Sequence, residues 1–167
     1  YVLLNDWSAR DIQAWEYQPL GPFLSKSFGT SISPWIITPE ALETFKRKTP
    51  ERKFQLLPHF EDEKAFVFDI NLKATLIEHS GSQTDLLETN SKELYYSPVQ
   101  QVIHHASAGC GISNGDLMGS GTISGMERGS FGCMLELSWG GKEKIVLSSG
   151  KKRDFLEDND TIIFKGI

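Results

Sequence analysis

The sequence predicts an α+β fold in which strands outnumber helices. Apolar and polar side chains alternate along residues 66–76 and again along 133–139, a pattern typical of half-buried strands. Turn-forming Gly, Asn and Asp residues lie at 114–116, 140–141 and 158–160. Helix signals are fewer. We therefore expect a mostly β chain with antiparallel or mixed sheets and a small number of helices.

The first half of the chain predicts a strand, two helices and a long strand, in that order. Val2–Leu4 is a short apolar run typical of a strand, and residues 8–15 follow it as a candidate helix. Thr38-Pro39 is a helix-start signal that predicts a helix to about Arg47, because proline fits the first helical turn. The even-numbered residues of 66–76 are apolar, which predicts one strand with that face in the core.

The second half begins with the clearest helix. Ser97 precedes Pro98, which predicts an N-cap with proline at the first helical position. Apolar residues recur from Val99 at i, i+3, i+4 and i+7, and Gly109 is the expected end of the helix.

Turn residues predict the remaining strands. The turn at 114–116 introduces a short strand at 117–119, and the turn at 158–160 introduces the last strand. Gly140-Gly141 predicts a hairpin that joins strand 133–139 to strand 144–147.

Composition limits the classes of protein to which the chain can belong. It has 167 residues, of which 39% are hydrophobic, and a net charge of −5, so disorder is excluded. No linker or repeat divides it, and we predict one unit over residues 1–167 without an internal boundary. The acidic balance argues against a nucleic-acid partner, and no apolar run approaches the roughly 20 residues of a membrane helix. Both ends lie within apolar runs, so we expect them to be cut.

Three polar residues near the start of the chain are the first candidates for chemistry. Strand 2–4 delivers Asp6 to its carboxyl end, and Arg10 and Gln13 share one face of the candidate helix because they are three residues apart. A carboxylate suits a hard cation, whereas a guanidinium with a carboxamide suits a carboxylate or enolate. The same spacing also fits a structural arrangement in which Asp6 caps the helix and forms an ion pair with Arg10.

Two later segments carry further candidates. Lys26 lies in a Gly/Ser-rich loop with Thr30, where its ammonium either faces a developing oxyanion or is simply solvated. The glycines of Gly121–Gly125 allow close backbone approach to a ligand, which Thr122 could bind through its hydroxyl. Glu136 lies in the strand predicted at 133–139 and faces either water or a polar site where it orients a catalytic base.

These motifs resemble the fumarylacetoacetase family. The resemblance begins with NDWSARDIQAWEYQPLGPFLSKSFGTSISPW at residues 5–35 and continues in order with QQVIHH, GSGTISG and FGCMLELSW. It extends from Tyr1 to about Ile167. It implies that the chain is part of the family's C-terminal catalytic domain, a mixed β-sandwich roll.

The resemblance implies a reaction as well as a fold. The reaction is hydrolysis of a carbon–carbon bond in 4-fumarylacetoacetate, a small dianionic diketo acid, to fumarate and acetoacetate. This is the last step of tyrosine breakdown, carried out by a cytoplasmic homodimer. Asp6 matches a ligand of the active-site Ca²⁺ or Mg²⁺. Lys26 and Thr30 match positions near a second ion, where Lys26 would use its backbone carbonyl because an ammonium cannot bind a cation.

The resemblance also implies roles in the reaction. Three residues match substrate-binding positions: Gln13, Tyr17 and Thr122. Three others would stabilise the oxyanion and the departing acetoacetate carbanion: Arg10, Gln13 and Lys26. Glu136 would orient a histidine that activates water.

The family's histidine base, a second Asp ligand and two Glu ligands are expected before position 1. The chain alone is therefore expected to be inactive, since Ca²⁺ requires about six to eight oxygen ligands. Two alternatives stay open. One is a sister enzyme of the same fold that acts on an acylpyruvate or another β-diketone. The other is a non-catalytic or truncated paralogue that pairs with an intact subunit.

Overall fold

The computed structural model describes residues 1–167 and divides them into two compact units, residues 1–41 and 42–167. Short strands and a few helices alternate along the chain, which confirms the α+β class. Every strand pairing is antiparallel.

The first unit is a pair of strands with two helices between them along the chain. Its elements are β1 (Leu4–Asp6), α1 (Arg10–Glu16), α2 (Leu24–Ser27) and β2 (Thr30–Ile32). β1 pairs with β2 and places Asp6 opposite Thr30. None of its apolar side chains is buried, whereas Glu16 and Ser25 are. The fully buried side chains of this unit are therefore polar.

The second unit is built on a three-stranded sheet. Its elements are β3 (Lys46–Lys48), β4 (Phe66–Phe68), β5 (Asn71–Ile77), β6 (Gln83–Asn90), α3 (Pro98–Ser107), α4 (Met134–Leu137), β7 (Ile145–Val146), β8 (Lys152–Arg153) and β9 (Thr161–Gly166). β5 is the central strand between β6 and β9, and the pairing of β5 with β6 shifts between Ala74 and Thr75. β3 pairs with β4, and β7 with β8.

The apolar core of the second unit lies along β4 and β5. Val67 and Leu76 are almost completely buried, and Phe68 and Ala74 are also buried. The inward face predicted for Phe68, Ala74 and Leu76 is thus confirmed. Val67, which the alternation places on the opposite face, is also buried, because the predicted strand is interrupted after Phe68 and its two parts pair with different partners.

Two predicted elements of the first half differ from the structure. The segment 38–47 is not an α-helix, because it forms turns, a 3-10 helix at Glu43–Phe45 and strand β3. Lys46–Lys48 pairs with Phe66–Phe68, and this sheet contact overrides the local helix signal of Thr38-Pro39. The candidate helix at 8–15 is confirmed, although it begins at Arg10.

Three predictions in the second half are also wrong. Residues 117–119 form no strand, because no other strand pairs with them. Segment 133–139 contains helix α4 instead of a strand, since Met, Leu and Glu favour helix and so short an alternation does not distinguish the two states. The hairpin at Gly140-Gly141 is absent because β7 pairs with β8. The last strand is confirmed as β9.

Helix α3 begins as its sequence predicts. The Ser97 hydroxyl accepts a hydrogen bond from the Gln100 backbone N–H at 3.2 Å, and the Gln100 side chain accepts one from the Ser97 N–H at 3.0 Å. This reciprocal pair is a capping box. Both side chains are buried, so water cannot replace the lost hydrogen bonds.

Replacing Ser97 with alanine should lower the free energy of unfolding by about 1 kcal/mol, because a buried N–H loses its acceptor. Urea denaturation of Ser97→Ala measures the change. Ser107→Ala is the matched control, since Ser107 is exposed and its hydroxyl donates only to the His104 carbonyl at the other end of the helix. Equal losses for the two variants would contradict the capping role.

A buried carboxylate follows strand β5. Glu78 is 2% exposed, and its Oε1 lies 2.9 Å from Lys151 Nζ and 3.9 Å from Arg153 Nη2. The Ser149 side chain, followed by that of Lys151, lowers the pKa of Glu78 below its usual 4.5, although burial acts in the opposite direction. The carboxylate thus connects the end of β5 to the segment that forms β8.

We expect Glu78 to contribute stability that depends on pH. Because its pKa is lower in the folded state, that stability is present above about pH 4.5 and is lost as the pH falls through the folded pKa. Glu78→Gln should therefore unfold more easily than the unsubstituted protein at pH 7, and the difference should narrow as the pH is lowered below 4.5. Urea titrations over this pH range test this, with the exposed Glu63→Gln as control. A difference that does not depend on pH would contradict it.

Candidate functional site

The first candidate cluster lies at the end of strand β1. Lys26 Nζ lies 2.7 Å from Asp6 Oδ2 and donates a hydrogen bond to the Asp6 carbonyl at 3.2 Å. The side chain of Lys26 is 34% exposed and that of Asp6 is 54% exposed, so the pair is accessible from solvent. Thr30 lies opposite Asp6 in the β1–β2 register. The structure thus brings together three of the predicted metal-site residues.

Helix α2 presents Lys26, and the buried carboxylate of Glu16 holds that helix. Glu16 accepts hydrogen bonds from Leu24 N at 3.2 Å, Ser25 N at 2.9 Å and Ser25 Oγ at 2.6 Å. The Ser25 hydroxyl is the main cause that lowers the pKa of Glu16, with the two backbone N–H groups adding to it and burial opposing it. An ionised Glu16 therefore fixes the residue next to Lys26.

Helix α1 orients a second cation. Arg10 Nη1 donates to Gln13 Oε1 at 2.7 Å, so the predicted shared face of these two residues is confirmed. Asp6 neither caps this helix nor pairs with Arg10, because its N-cap is Ala9 and the Asp6 carboxylate is paired with Lys26. The structure thus contradicts the structural alternative in which Asp6 caps the helix and forms an ion pair with Arg10.

Tyr17 ends helix α1. Its backbone N–H donates to the Gln13 carbonyl at 3.1 Å, and its side chain is exposed. The ring is therefore accessible to a ligand, as the predicted substrate-binding role requires. That role stays a prediction.

The second candidate cluster lies in the second unit, around Glu136. Glu136 is half-buried in α4, and its Oε2 accepts a hydrogen bond from Ser124 Oγ at 2.7 Å. Cys133 Sγ lies 3.4 Å from the same oxygen. Gly132 N donates to Ser124 Oγ at 2.9 Å, and Thr122 is exposed two residues before Ser124. Glu136 thus faces polar groups of the protein and not only water.

Glycine makes this cluster possible. A Cβ atom on Gly132 would lie 2.3 Å from the Ile123 carbonyl oxygen and 2.6 Å from Thr122 Cγ2. The segment that carries Thr122 and Ser124 therefore packs against the backbone at position 132 more closely than any side chain allows.

Two supporting residues escape prediction from the sequence. Ser124 stands in the GTISG motif, and its separation of 12 residues from Glu136 gives no periodic signal. Glu16 stands at the end of an amphipathic segment, where a glutamate is ordinarily solvated. The glycines that flank Ser124 are the one signal that could have drawn attention to it.

The side chains of this chain do not form a complete metal shell. No group of three or more His, Cys, Asp or Glu side chains is placed to hold an ion. Asp6 is a suitable oxygen ligand, but one carboxylate is far from the six to eight oxygens that Ca²⁺ takes or the octahedron that Mg²⁺ requires. At most, this cluster supplies part of such a site.

Comparison with known proteins defines the class to which this fold and these clusters belong. Residues 1–166 match the family described as fumarylacetoacetate (FAA) hydrolase C-terminal. The chain is 50% identical over 166 residues to the fumarylacetoacetase of Bos taurus, and 48% identical to those of Arabidopsis thaliana, over 168 residues, and Homo sapiens, over 166. Each alignment covers 99% of this chain.

The chain belongs to the FAA hydrolase C-terminal family. It spans about 40% of the length of the curated fumarylacetoacetases that it matches. Membership suggests a divalent metal cofactor. Among the helices of the structure, none combines the length and the apolar character that crossing a membrane requires.

Substitution of Gly132 tests the packing of the second cluster. Gly132→Ala should lower the free energy of unfolding by about 1–3 kcal/mol, because the new methyl group collides with backbone atoms that cannot rotate away. Gly129→Ala is the matched control, since a Cβ atom there would have no neighbour within 4 Å. Thermal denaturation compares the two, and equal stability of both variants would contradict the close approach.

Proposed function

We propose that the protein is a fumarylacetoacetase, which hydrolyses the carbon–carbon bond of 4-fumarylacetoacetate to give fumarate and acetoacetate in tyrosine catabolism. The observation that carries this proposal is the accessible Lys26–Asp6 pair at the end of β1, in a chain whose sequence is 50% identical to that of the fumarylacetoacetase of Bos taurus. Within this pair, the exposed Lys26 ammonium would donate a charge-assisted hydrogen bond to a small anionic substrate.

Charge stabilisation is the main task in this reaction. Cleavage releases acetoacetate as a carbanion, which is a poor leaving group unless donors and cations share its charge. An ammonium has three N–H donors. Lys26 directs two of them to Asp6, one to the carboxylate and one to the carbonyl, and the third is left for a substrate oxygen.

Arg10 and Gln13 would assist from helix α1. The guanidinium uses one N–H to bind Gln13 Oε1, which orients its remaining donors and leaves the amide NH₂ of Gln13 for the substrate. We assign substrate contacts also to Tyr17 and Thr122, whose side chains are exposed. Glu136 would orient the histidine that activates water, as a carboxylate does in other hydrolases.

Asp6 would provide one oxygen ligand to a Ca²⁺ or Mg²⁺ ion, with Thr30 and Lys26 beside it. A divalent ion held there would supply Lewis-acid polarisation of a substrate carbonyl. Lys26 could contribute only its backbone carbonyl to such an ion, because its ammonium is positively charged.

We further propose that the domain is a mixed β-sandwich roll in a cytoplasmic homodimer. The net charge of −5 supports a small-molecule partner and not nucleic acid, which binds basic surfaces.

The full-length protein should consume fumarylacetoacetate in the presence of Mg²⁺ or Ca²⁺, measured as loss of substrate absorbance. Lys26→Ala should lower kcat at least about a hundredfold, because the oxyanion loses a charged donor. Lys48→Ala, an exposed lysine of β3, should retain full activity.

Absence of turnover by the unsubstituted protein, or a Lys26→Ala variant as active as Lys48→Ala, would contradict the assignment. Faster turnover of an acylpyruvate than of fumarylacetoacetate would point to a sister enzyme of the family.

A further inference from the structure

Ser124 has a hydroxyl whose direction is fixed by its neighbours. The Gly132 N–H donates to Ser124 Oγ at 2.9 Å, so this lone pair is occupied. The hydroxyl proton then points at Glu136 Oε2, 2.7 Å away. A serine hydroxyl has a single proton, and here it is committed to the carboxylate.

The segment around Ser124 has little freedom to move. Gly125 N donates to the Ser130 carbonyl at 2.9 Å, and a Cβ atom on Gly125 would lie 2.4 Å from Ser130 Oγ. Gly132 closes the other side, where there is no room for a side chain next to Ile123. Ser124 therefore acts as a rigid donor and not as a mobile surface hydroxyl.

The two donors near Glu136 differ in strength. Ser124 is an O–H donor at 2.7 Å, whereas Cys133 is a weak S–H donor at 3.4 Å. Both approach Oε2, so these two contacts hold the carboxylate from one side. The Ser124 hydrogen bond thus sets the rotation of the Glu136 carboxylate.

We propose that Ser124 is a positioning residue, whose hydroxyl holds the Glu136 carboxylate in the orientation needed to orient the base of the reaction. This inference rests on the proposed function. Ser124 contacts neither substrate nor base in this role, and it acts only through Glu136. Removal of its hydroxyl should therefore affect the rate of the chemical step and not the binding of substrate.

The test is a double-mutant cycle in the full-length protein with Ser124→Ala, Glu136→Gln and the double variant. Ser124→Ala should lower kcat about ten- to a hundredfold with KM unchanged, since misplacement of a catalytic group costs rate. In the Glu136→Gln background the same change should have little effect. Ser120→Ala, an exposed serine of the same segment, should leave kcat unchanged.

Three outcomes would overturn the inference: an unchanged kcat for Ser124→Ala, effects that multiply independently with Glu136→Gln, or a raised KM with an intact kcat. The last of these would indicate loosening of the segment around Thr122.

A second measurement separates this inference from the proposed function. The same four proteins are unfolded in urea, where a hydrogen bond to a carboxylate should couple the two substitutions by about tenfold in the unfolding constant. If the unsubstituted protein does not turn over fumarylacetoacetate, the proposed function fails. The unfolding cycle then tests the Ser124–Glu136 hydrogen bond by itself. Coupling between the two substitutions supports the inference, and independent effects on the unfolding constant overturn it.

Discussion

The hydrogen bonds to the buried carboxylate of Glu16 are the contacts on which the first unit depends. No apolar side chain of this unit is fully buried. Its two helices are joined through Glu16 at the end of α1, which binds two backbone N–H groups and one hydroxyl at the start of α2. A buried carboxylate without donors would be strongly unfavourable, so the fold of this segment and the ionisation of Glu16 require each other. Lys26 is the next residue after Ser25, and its ammonium pairs with the Asp6 carboxylate.

The two candidate clusters use the same construction, although they lie in different units. In each, a glutamate accepts a short hydrogen bond from a serine hydroxyl, and a glycine allows the backbone to approach closely. A Cβ atom on Gly21 would lie 2.8 Å from the Glu16 carbonyl oxygen. A Cβ atom on Gly132 would likewise lie 2.3 Å from the carbonyl oxygen of Ile123, the residue before Ser124. In both clusters the serine hydroxyl is a short-range donor that orients the carboxylate of the glutamate.

Local signals predict the parts of this structure that local interactions determine. The capping box at Ser97, the Arg10–Gln13 contact and the turn before β9 all depend on residues within a few positions of one another. The Asp6–Lys26 pair spans 20 residues and depends on the fold of α2, so spacing alone favoured Arg10 as the partner of Asp6. Likewise, the alternation along residues 133–139 predicts a strand where α4 forms, because a helix of four residues is too short to show the 3.6-residue helical period. The roles of the site residues remain predictions.

Exposure distinguishes the ion pairs that hold the fold from the pair suited to bind a ligand. Glu78 is buried beneath Lys151 and Arg153, and removal of its partners would leave an uncompensated charge, which is strongly unfavourable. Asp6 and Lys26 are both partly exposed, and pairs of this kind contribute about 0–1 kcal/mol because water competes for them. In the proposed function, the Lys26 ammonium would therefore exchange part of its contact with Asp6 for an incoming anion at small cost. The buried Glu16 would keep the helix that carries Lys26 in place during that exchange.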